Sequence, residues 1–496
     1  MSAQPMASRH DTVARRIGRG IPDAQRRALA IGIVAGAVVV VVLAVLALTR
    51  LSAAFTVLAV VIGGAAAIAL FWSLPVTWLP AASVVLYAAL PAQLLIRVNT
   101  VPLLGLPLVI WVVRRLVAQW RGGPPAFSLS HRLGSRYWVL VAALAFVAWL
   151  VATVSWSQDP VRSVAFVVAI LTSVMSLVMV LDAQREAWLL MRAWVVTGAI
   201  AGAYAVLEAI VQFNPVADTL SPLFGITSRT WAVYRSQVWF VHPLYASAYL
   251  CIAAALALGL WLQFGRTRFL VAALVTAAGV AATGSRGSLV ALAFGVGVAW
   301  LVAFLRTRPL PVFRLGIAAI LAVVGAIVVI SLPTIAERSS SVEADRSAEA
   351  RAAGIEYALR AAEDFGWLGS GGFSSRDVFD RYATIPLESG YLQLLISIGV
   401  PGLVLFGVFL LAVALSGVAA REAAAVGSLV ACAIVLGSFN AIDDIPGHLL
   451  LYGYTVFLCV AGPTAWMSRG DPAHADDPPP ARSRFAGSAG SPGNAG

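Results

Sequence analysis

The six residues Thr283-Gly284-Ser285-Arg286-Gly287-Ser288 put one fixed positive charge between two apolar runs, Phe269 to Ala282 and Leu289 to Leu305. Each run has roughly the length that spans a bilayer. No room remains between them for a loop, so Arg286 must lie at the membrane boundary among small residues. An arginine held there is costly without an anionic partner. Further cations stand in two longer polar stretches: Arg229 and Arg235 in one, Arg346 and Arg351 in the other. Arginine suits a diphosphate because its planar fork donates two parallel hydrogen bonds and its charge cannot be lost. Several arginines converging at the membrane surface would hold a lipid-linked diphosphate and stabilise it as a leaving group. The bland alternative is pairing with Glu343, Asp345, Glu349 and Glu356, or with lipid headgroups. Arg286 favours the first reading, because its short turn contains no acid.

Other residue types carry weaker signals. His242 precedes Pro243 at a helix entrance, where it could touch a diphosphate or sugar or simply hydrogen-bond at the interface. Glu208 lies near the end of an apolar span, and an acid at that depth is a functional candidate. It could equally pair with Arg235 or neighbouring backbone. Asp443 and Asp444 could bind hydroxyls or a divalent ion, but a solvated turn is the better reading of two adjacent acids. Cys251, Cys432 and Cys459 sit in or beside apolar runs, with no CxxC and no Cys/His ligand spacing. They read as buried small residues, and neither a metal nor another cofactor is expected. No DxD motif stands near a Rossmann pattern and no Gly-rich phosphate loop precedes a helix, so a cytosolic nucleotide-sugar donor is unsupported.

The elements that must position these groups are membrane helices. Of 496 residues 60% are hydrophobic and 11% charged, with mean hydropathy +0.88, which describes a polytopic membrane protein. All 34 basic residues are arginine and lie mostly between apolar runs rather than in one patch, so nucleic acid is not the expected partner. The pattern predicts an all-α membrane helix bundle of about 12–14 spans. Those spans fall near 28–49, 53–72, 76–97, 101–118, 137–156, 162–181 and 188–211, then 240–263, 268–284, 286–305, 313–332, 391–416, 422–441 and 447–466. With the N-terminus in the cytoplasm, 22 of the 34 arginines fall inside. Both termini are then cytoplasmic, and Arg286 faces outward. The expected organisation is a basic tail over 1–27, the bundle over 28–466 and a disordered tail over 467–496. No separate soluble domain is expected. Two outer loops, about 212–239 and 333–390, interrupt the bundle, and the second has a helical pattern from Glu343 to Glu363.

Four stretches resemble the O-antigen ligase and polysaccharide polymerase superfamily, membrane enzymes that move glycans from undecaprenyl diphosphate. Thr283-Gly284-Ser285-Arg286-Gly287 is similar to its SRG segment at a helix start. Arg235 followed by Trp239-Phe240-Val241-His242-Pro243 is similar to its arginine and aromatic-x-x-Pro segment. Arg351 through Ile355 to Leu359, then Gly366-Trp367-Leu368-Gly369-Ser370-Gly371, resembles its large periplasmic loop. Glu388-Ser389-Gly390-Tyr391-Leu392, with Gly399 and Gly402 beyond, resembles its His-Asn-x-Tyr-Leu segment. The likeness covers roughly residues 190–420 and implies a GT-C-like bundle with a polyprenyl-diphosphate-linked glycan donor and a glycan or lipid acceptor. It implies diphosphate binding by Arg286, Arg235 and Arg351, with His242, Tyr391 and Glu208 as further substrate contacts. One departure stands out: ligases carry His where this chain has Glu388. A carboxylate there could still take a proton from an acceptor hydroxyl as general base, or orient the acceptor, or be an exposed acid favoured by a helix dipole. The missing His favours a polymerase or another lipid-linked glycan transferase over a ligase. The other classes to weigh are a lipid-linked oligosaccharide flippase and an inactive scaffold of envelope assembly.

Overall fold

A computed structural model of the chain describes residues 53–90, 101–123, 136–175, 183–223, 233–305, 313–317, 319–320, 342–385, 387–443 and 446–462. The expected first span, both polar tails and most of the span expected over 313–332 lie outside the described residues. So do Arg229 and Asp444, and the side chain of Arg346.

The described chain is helical, with no strand among the described residues. Its helices are α1 (Ala53–Ser73), α2 (Leu79–Ala89), α3 (Val101–Trp120), α4 (Arg136–Val154), α5 (Pro160–Ile170), α6 (Gln184–Val211) and α7 (Pro215–Leu223). After the first polar stretch come α8 (Pro243–Phe264), α9 (Thr267–Ala282) and α10 (Arg286–Phe304). The second stretch holds α11 (Val342–Asp364) and α12 (Ser375–Phe379), followed by α13 (Gly390–Ala419), α14 (Ala423–Gly437) and α15 (Leu449–Ala461). Helices α4, α6, α8, α10 and α13 are long and apolar enough to cross a membrane.

Helices α1 and α3 run the full length of the expected spans, whereas α2, α14 and α15 are shorter. The span expected over 76–97 begins as a 3-10 turn at Val76–Trp78 behind Pro75, and its helix ends at Ala89. It meets α1 at a bend of 112°. Arg114 donates to the Trp72 and Leu74 carbonyls, at 3.1 and 2.5 Å, satisfying acceptors that the end of α1 leaves open. The span expected over 162–181 is α5 followed by a π turn at Leu171–Met175.

Helix α8 runs through the centre of the bundle and is the most deeply buried of the spanning helices. Glycines let its neighbours approach one another closely. A Cβ on Gly279 of α9 would lie 2.6 Å from Gly202 of α6, and one on Gly295 of α10 would lie 2.7 Å from the Gly427 carbonyl of α14. Membrane helices associate by such contacts, because lipid supplies no hydrophobic drive between them.

Polar groups sort to two ends. At one end Arg115 pairs with Glu186 at 2.6 Å, Gln263 donates to the Arg421 carbonyl, and Gly265 abuts the Arg314 guanidinium. The Trp188 and Phe264 rings, 5.7 Å apart, join the start of α6 to the end of α8 there. The opposite end carries Arg235, Arg286 and the long stretch from 342 to 392. That stretch has a small core, formed by Ala358, Ala361, Val378, Phe379 and Leu387 and closed by Ile396 of α13. The sequence had suggested a loop with one helix; the structure adds a folded cap.

The cap is bonded into a break in α13. Gly399 has φ 70° and ψ 179°, and Pro401 follows, so the helical ladder is interrupted. Ser370 and Gly371 amides donate to the Ile396 and Ser397 carbonyls at 2.8 Å, and the Trp149 indole donates to Ile398 at 2.8 Å. In return the Val400 amide donates to Trp367 at 2.9 Å. The cap thus replaces hydrogen bonds that the break removes.

Candidate functional site

The turn between α9 and α10 uses almost all its own polar groups to hold its shape. Gly284 takes φ 62°, a left-handed conformation that glycine adopts at no steric cost. Ser285 caps α10 through the Ser288 amide. Its hydroxyl meets Ser288 Oγ at 2.9 Å, and Ser288 Oγ meets Ser247 Oγ of α8 at 2.7 Å. The Ser236 amide donates to the Ala282 carbonyl at 3.1 Å, and Arg235 Nε donates to the Thr283 carbonyl at 3.0 Å. Arg286 is the first helical residue, exposed, and without an ion pair among the described residues. A cation at the positive end of a helix is the wrong sign for stability. It is the right sign for an anion, which would meet both the guanidinium and the open N–H groups of the first turn.

Arg235 is only 6% exposed and belongs to the support beneath that turn. Its segment is shaped by Glu208, 2% exposed at the end of α6. Glu208 accepts from the Gln237 amide at 3.0 Å, the Val238 amide at 2.8 Å and the Tyr234 hydroxyl at 3.1 Å. Val238 and Val241 have φ of 55° and 65°, an unfavourable conformation for a β-branched residue. The carboxylate fixes the first of these, together with Asn214, which donates to the Val238 carbonyl. Glu208 is therefore a positioning residue for the Arg235 segment, the backbone alternative that its sequence left open. His242 caps α8, its Nδ1 accepting from the Leu244 amide at 3.2 Å, and it lies against the Tyr245 ring.

Arg351 and Glu388 are brought together. Arg351 Nε and Nη2 both donate to Glu388 Oε2 at 3.0 Å, tying α11 of the cap to the start of α13. Tyr391 turns into the bundle, with its hydroxyl donating to the Ala433 carbonyl at 2.6 Å and its ring over Gly437. Asp443 corrects the expectation of a solvated turn. It is 5% exposed and accepts from the Phe373 and Ser375 amides, at 2.8 and 2.9 Å, and from Ser397 Oγ at 2.8 Å. Burial pushes its carboxyl up to about 6, against the opposing effect of those donors.

One backbone segment joins the two halves of the site. Ser389 Oγ donates to the Gly437 carbonyl at 3.3 Å, and a Cβ on Gly287 would lie 3.2 Å from Ser438 Oγ. The turn after Arg286 and the residue after Glu388 therefore border consecutive residues at the end of α14. Sequence reading missed Asp443 as the clasp of the cap, and also Gln393, whose Oε1 accepts from the Asp443 amide at 3.3 Å. Their partners lie between 46 and 70 residues away, and neither residue sits in a local motif.

Fold and site together define a multi-pass helical membrane protein whose exposed arginine, buried arginine and acid-tethered cap meet at one end of the bundle. Residues 270–407 match the family model described as O-Antigen ligase, so that stretch of the chain is similar to that family. The match takes in Arg286, Arg351, Glu388 and Tyr391, and stops short of Arg235, Glu208 and His242 on one side and Asp443 on the other. No curated protein matches the chain.

Proposed function

We propose that the chain transfers glycan from a polyprenyl diphosphate to an acceptor hydroxyl at the outer face of the cytoplasmic membrane, polymerising or ligating a surface polysaccharide. The observation that carries this reading is the common border that the Arg286 turn and the Glu388 segment share at Gly437–Ser438. The donor's tail would lie among the helices and its diphosphate against Arg286 and the first turn of α10, with Arg235 holding the turn from behind. The Arg351–Glu388 pair is more than half exposed on the arginine side, and such pairs are worth less than about 1 kcal/mol. An arriving diphosphate can therefore draw Arg351 away from Glu388. The Glu388 carboxylate accepts the acceptor's proton, the acceptor oxygen bonds to the anomeric carbon, and the carbon–oxygen bond to diphosphate breaks. Diphosphate is already a good leaving group, so positioning and charge supply most of the effect. No cofactor and no nucleic acid enter this reading; membrane lipids are the surrounding partner.

The test compares surface glycans and polyprenyl-linked intermediates in cells with the protein, without it, and with Arg286→Ala. The expected result is accumulation of lipid-linked glycan on the outer leaflet in the last two. Accumulation confined to the inner leaflet identifies a flippase instead, and unchanged glycans in both removes the assignment.

A further inference from the structure

The arginines at the end of the bundle opposite Arg286 are of two kinds. Arg114 donates to carbonyls that α1 leaves open, Arg115 pairs with Glu186, and the Arg314 guanidinium packs on Gly265 at the end of α8. Arg192, Arg266 and Arg268 have no such use. None of the three makes an ion pair or a side-chain hydrogen bond among the described residues, and Arg192 and Arg268 are exposed.

The fold gathers these three on one flank. Helices α6 and α9 run parallel: Gly198 meets Thr276 and, one turn further on, Gly202 meets Gly279. Arg192 lies ten residues before Gly202, and Arg268 eleven before Gly279. At about 1.5 Å of rise per residue the two sit at one depth, about 15 to 17 Å from that contact. Arg266 is the residue before α9, and both it and Arg192 are near enough to Arg268 for their charges to oppose its own. Like charges so placed are destabilising, and Arg266 and Arg268 also stand at the positive end of a helix whose first turn holds no acid. Nearby acids are engaged elsewhere, Glu186 with Arg115, while Glu422 is fully buried. Orientation in the membrane asks for a count of arginines at one end, not for three on one flank.

Beyond the charges the same faces turn apolar. Val196 and Ile200 follow Arg192 by four and eight residues, Val271 and Leu274 follow Arg268 by three and six, and all four are exposed. A soluble anion would leave this strip unused, and an uncharged lipid would leave the arginines without a counter-charge. A phospholipid with net negative charge satisfies both.

We propose that Arg192, Arg266 and Arg268 bind the phosphate of an anionic phospholipid in the leaflet at this end, with its acyl chains along Val196, Ile200, Val271 and Leu274. The site takes no part in glycan transfer, so it stands or falls apart from the transferase reading.

The experiment uses the full chain in phosphatidylcholine nanodiscs that contain phosphatidylglycerol with a photoactivatable acyl chain, and cross-linked peptides are mapped by mass spectrometry. Cross-links should concentrate within 193–200 and 269–274. Unlabelled phosphatidylglycerol should compete them away, while inorganic phosphate should not. Arg192→Gln combined with Arg268→Gln should weaken the labelling affinity about 25-fold, about fivefold for each charge near a membrane surface. Arg121→Gln combined with Arg360→Gln removes the same charge at two other exposed positions and should leave the affinity unchanged. All the altered side chains are exposed, so melting temperatures in phosphatidylcholine alone should match wild type. Cross-links spread evenly over the helices, equal labelling by photoactivatable phosphatidylcholine, or an unchanged affinity in the R192Q/R268Q variant each overturns the proposal. Competition by inorganic phosphate, or stronger competition by polyprenyl phosphate, overturns it as well, by assigning the arginines to a free anion or to a lipid carrier.

Discussion

Arg286 and Arg235 share a sequence argument but occupy opposite environments, and their substitutions should separate accordingly. Arg286 is exposed at a helix start and supports no packing, so Arg286→Ala should leave the melting temperature within a degree or two. Removing a donor preorganised for developing charge should cost about 100-fold or more in transfer. Arg235 is buried and bonded to the Thr283 carbonyl, so Arg235→Ala should lose both activity and stability, by about 2 kcal/mol or more. Chain-length distribution in cells, read beside thermal melting of purified protein, distinguishes the two; equal stability losses would sink the division of labour. Asp443 offers a pH test. Its folded carboxyl titrates near 6, above the ordinary value of about 3.9, so the folded state holds the proton more tightly between about pH 4 and 6. Its contribution is most favourable below that window, and stability declines as pH rises through 6. The loss is on the order of 3 kcal/mol by pH 7. Asp443→Asn keeps an acceptor for the cap but cannot titrate. Wild type should therefore gain melting temperature relative to D443N between pH 8 and pH 5, and a pH-independent difference would place the titration elsewhere. Arg286 was legible in the sequence because a charge between two apolar runs has few explanations. Asp443 was not, because adjacency to Asp444 suggests solvent and nothing local shows that Phe373 and Ser375 supply the donors.

At the scale of elements, the helix over 342–364 and the starts of α8, α10 and α13 follow from apolar periodicity, proline placement and serine caps. The break in α13 was readable only as Gly399 and Pro401. What fills the break, the Trp367–Gly371 backbone, is a contact between segments whose fit depends on two glycines facing each other. A Cβ on Gly399 would sit 2.4 Å from the Leu368 carbonyl carbon, at a φ that side chains disfavour. Gly399→Ala should therefore detach the cap locally while leaving the long helices intact. A left-handed alanine costs on the order of 1–3 kcal/mol before the clash is counted. Amide exchange at Ser370, Gly371 and Val400 should accelerate in this variant while amides of α8 remain protected. Uniform acceleration would mean that the cap and the bundle unfold together. Because Glu388 lies between cap and α13, G399A should also lower activity without touching a reacting group. The bend at Pro75 before α2 and the π turn at Leu171–Met175 after α5 went unread in the sequence, since a hydropathy window registers apolar content and not backbone geometry.

The whole molecule sets its polar groups at two ends, and the assignment of those ends to sides of the membrane is an inference from arginine counts. Arg115, Glu186, Arg314 and Arg421 mark one end; Arg286, the cap and Asp443 mark the other. Most of the arginines in short turns fall at the first end, which the positive-inside tendency places in the cytoplasm. The three native cysteines are buried, so an introduced cysteine would be labelled over a low background. Cysteine in place of Glu349 on α11 or Arg421 after α13 tests both ends at exposed positions. In intact spheroplasts a membrane-impermeant maleimide should label E349C fully and R421C only after lysis. Arg286→Cys adds the decisive third position: its labelling should follow E349C, and preincubation with polyprenyl diphosphate should protect it. If R286C instead follows R421C, the site faces the cytoplasm, where no outer-leaflet donor reaches it. The transferase reading would then fail for the whole molecule even with every local contact intact.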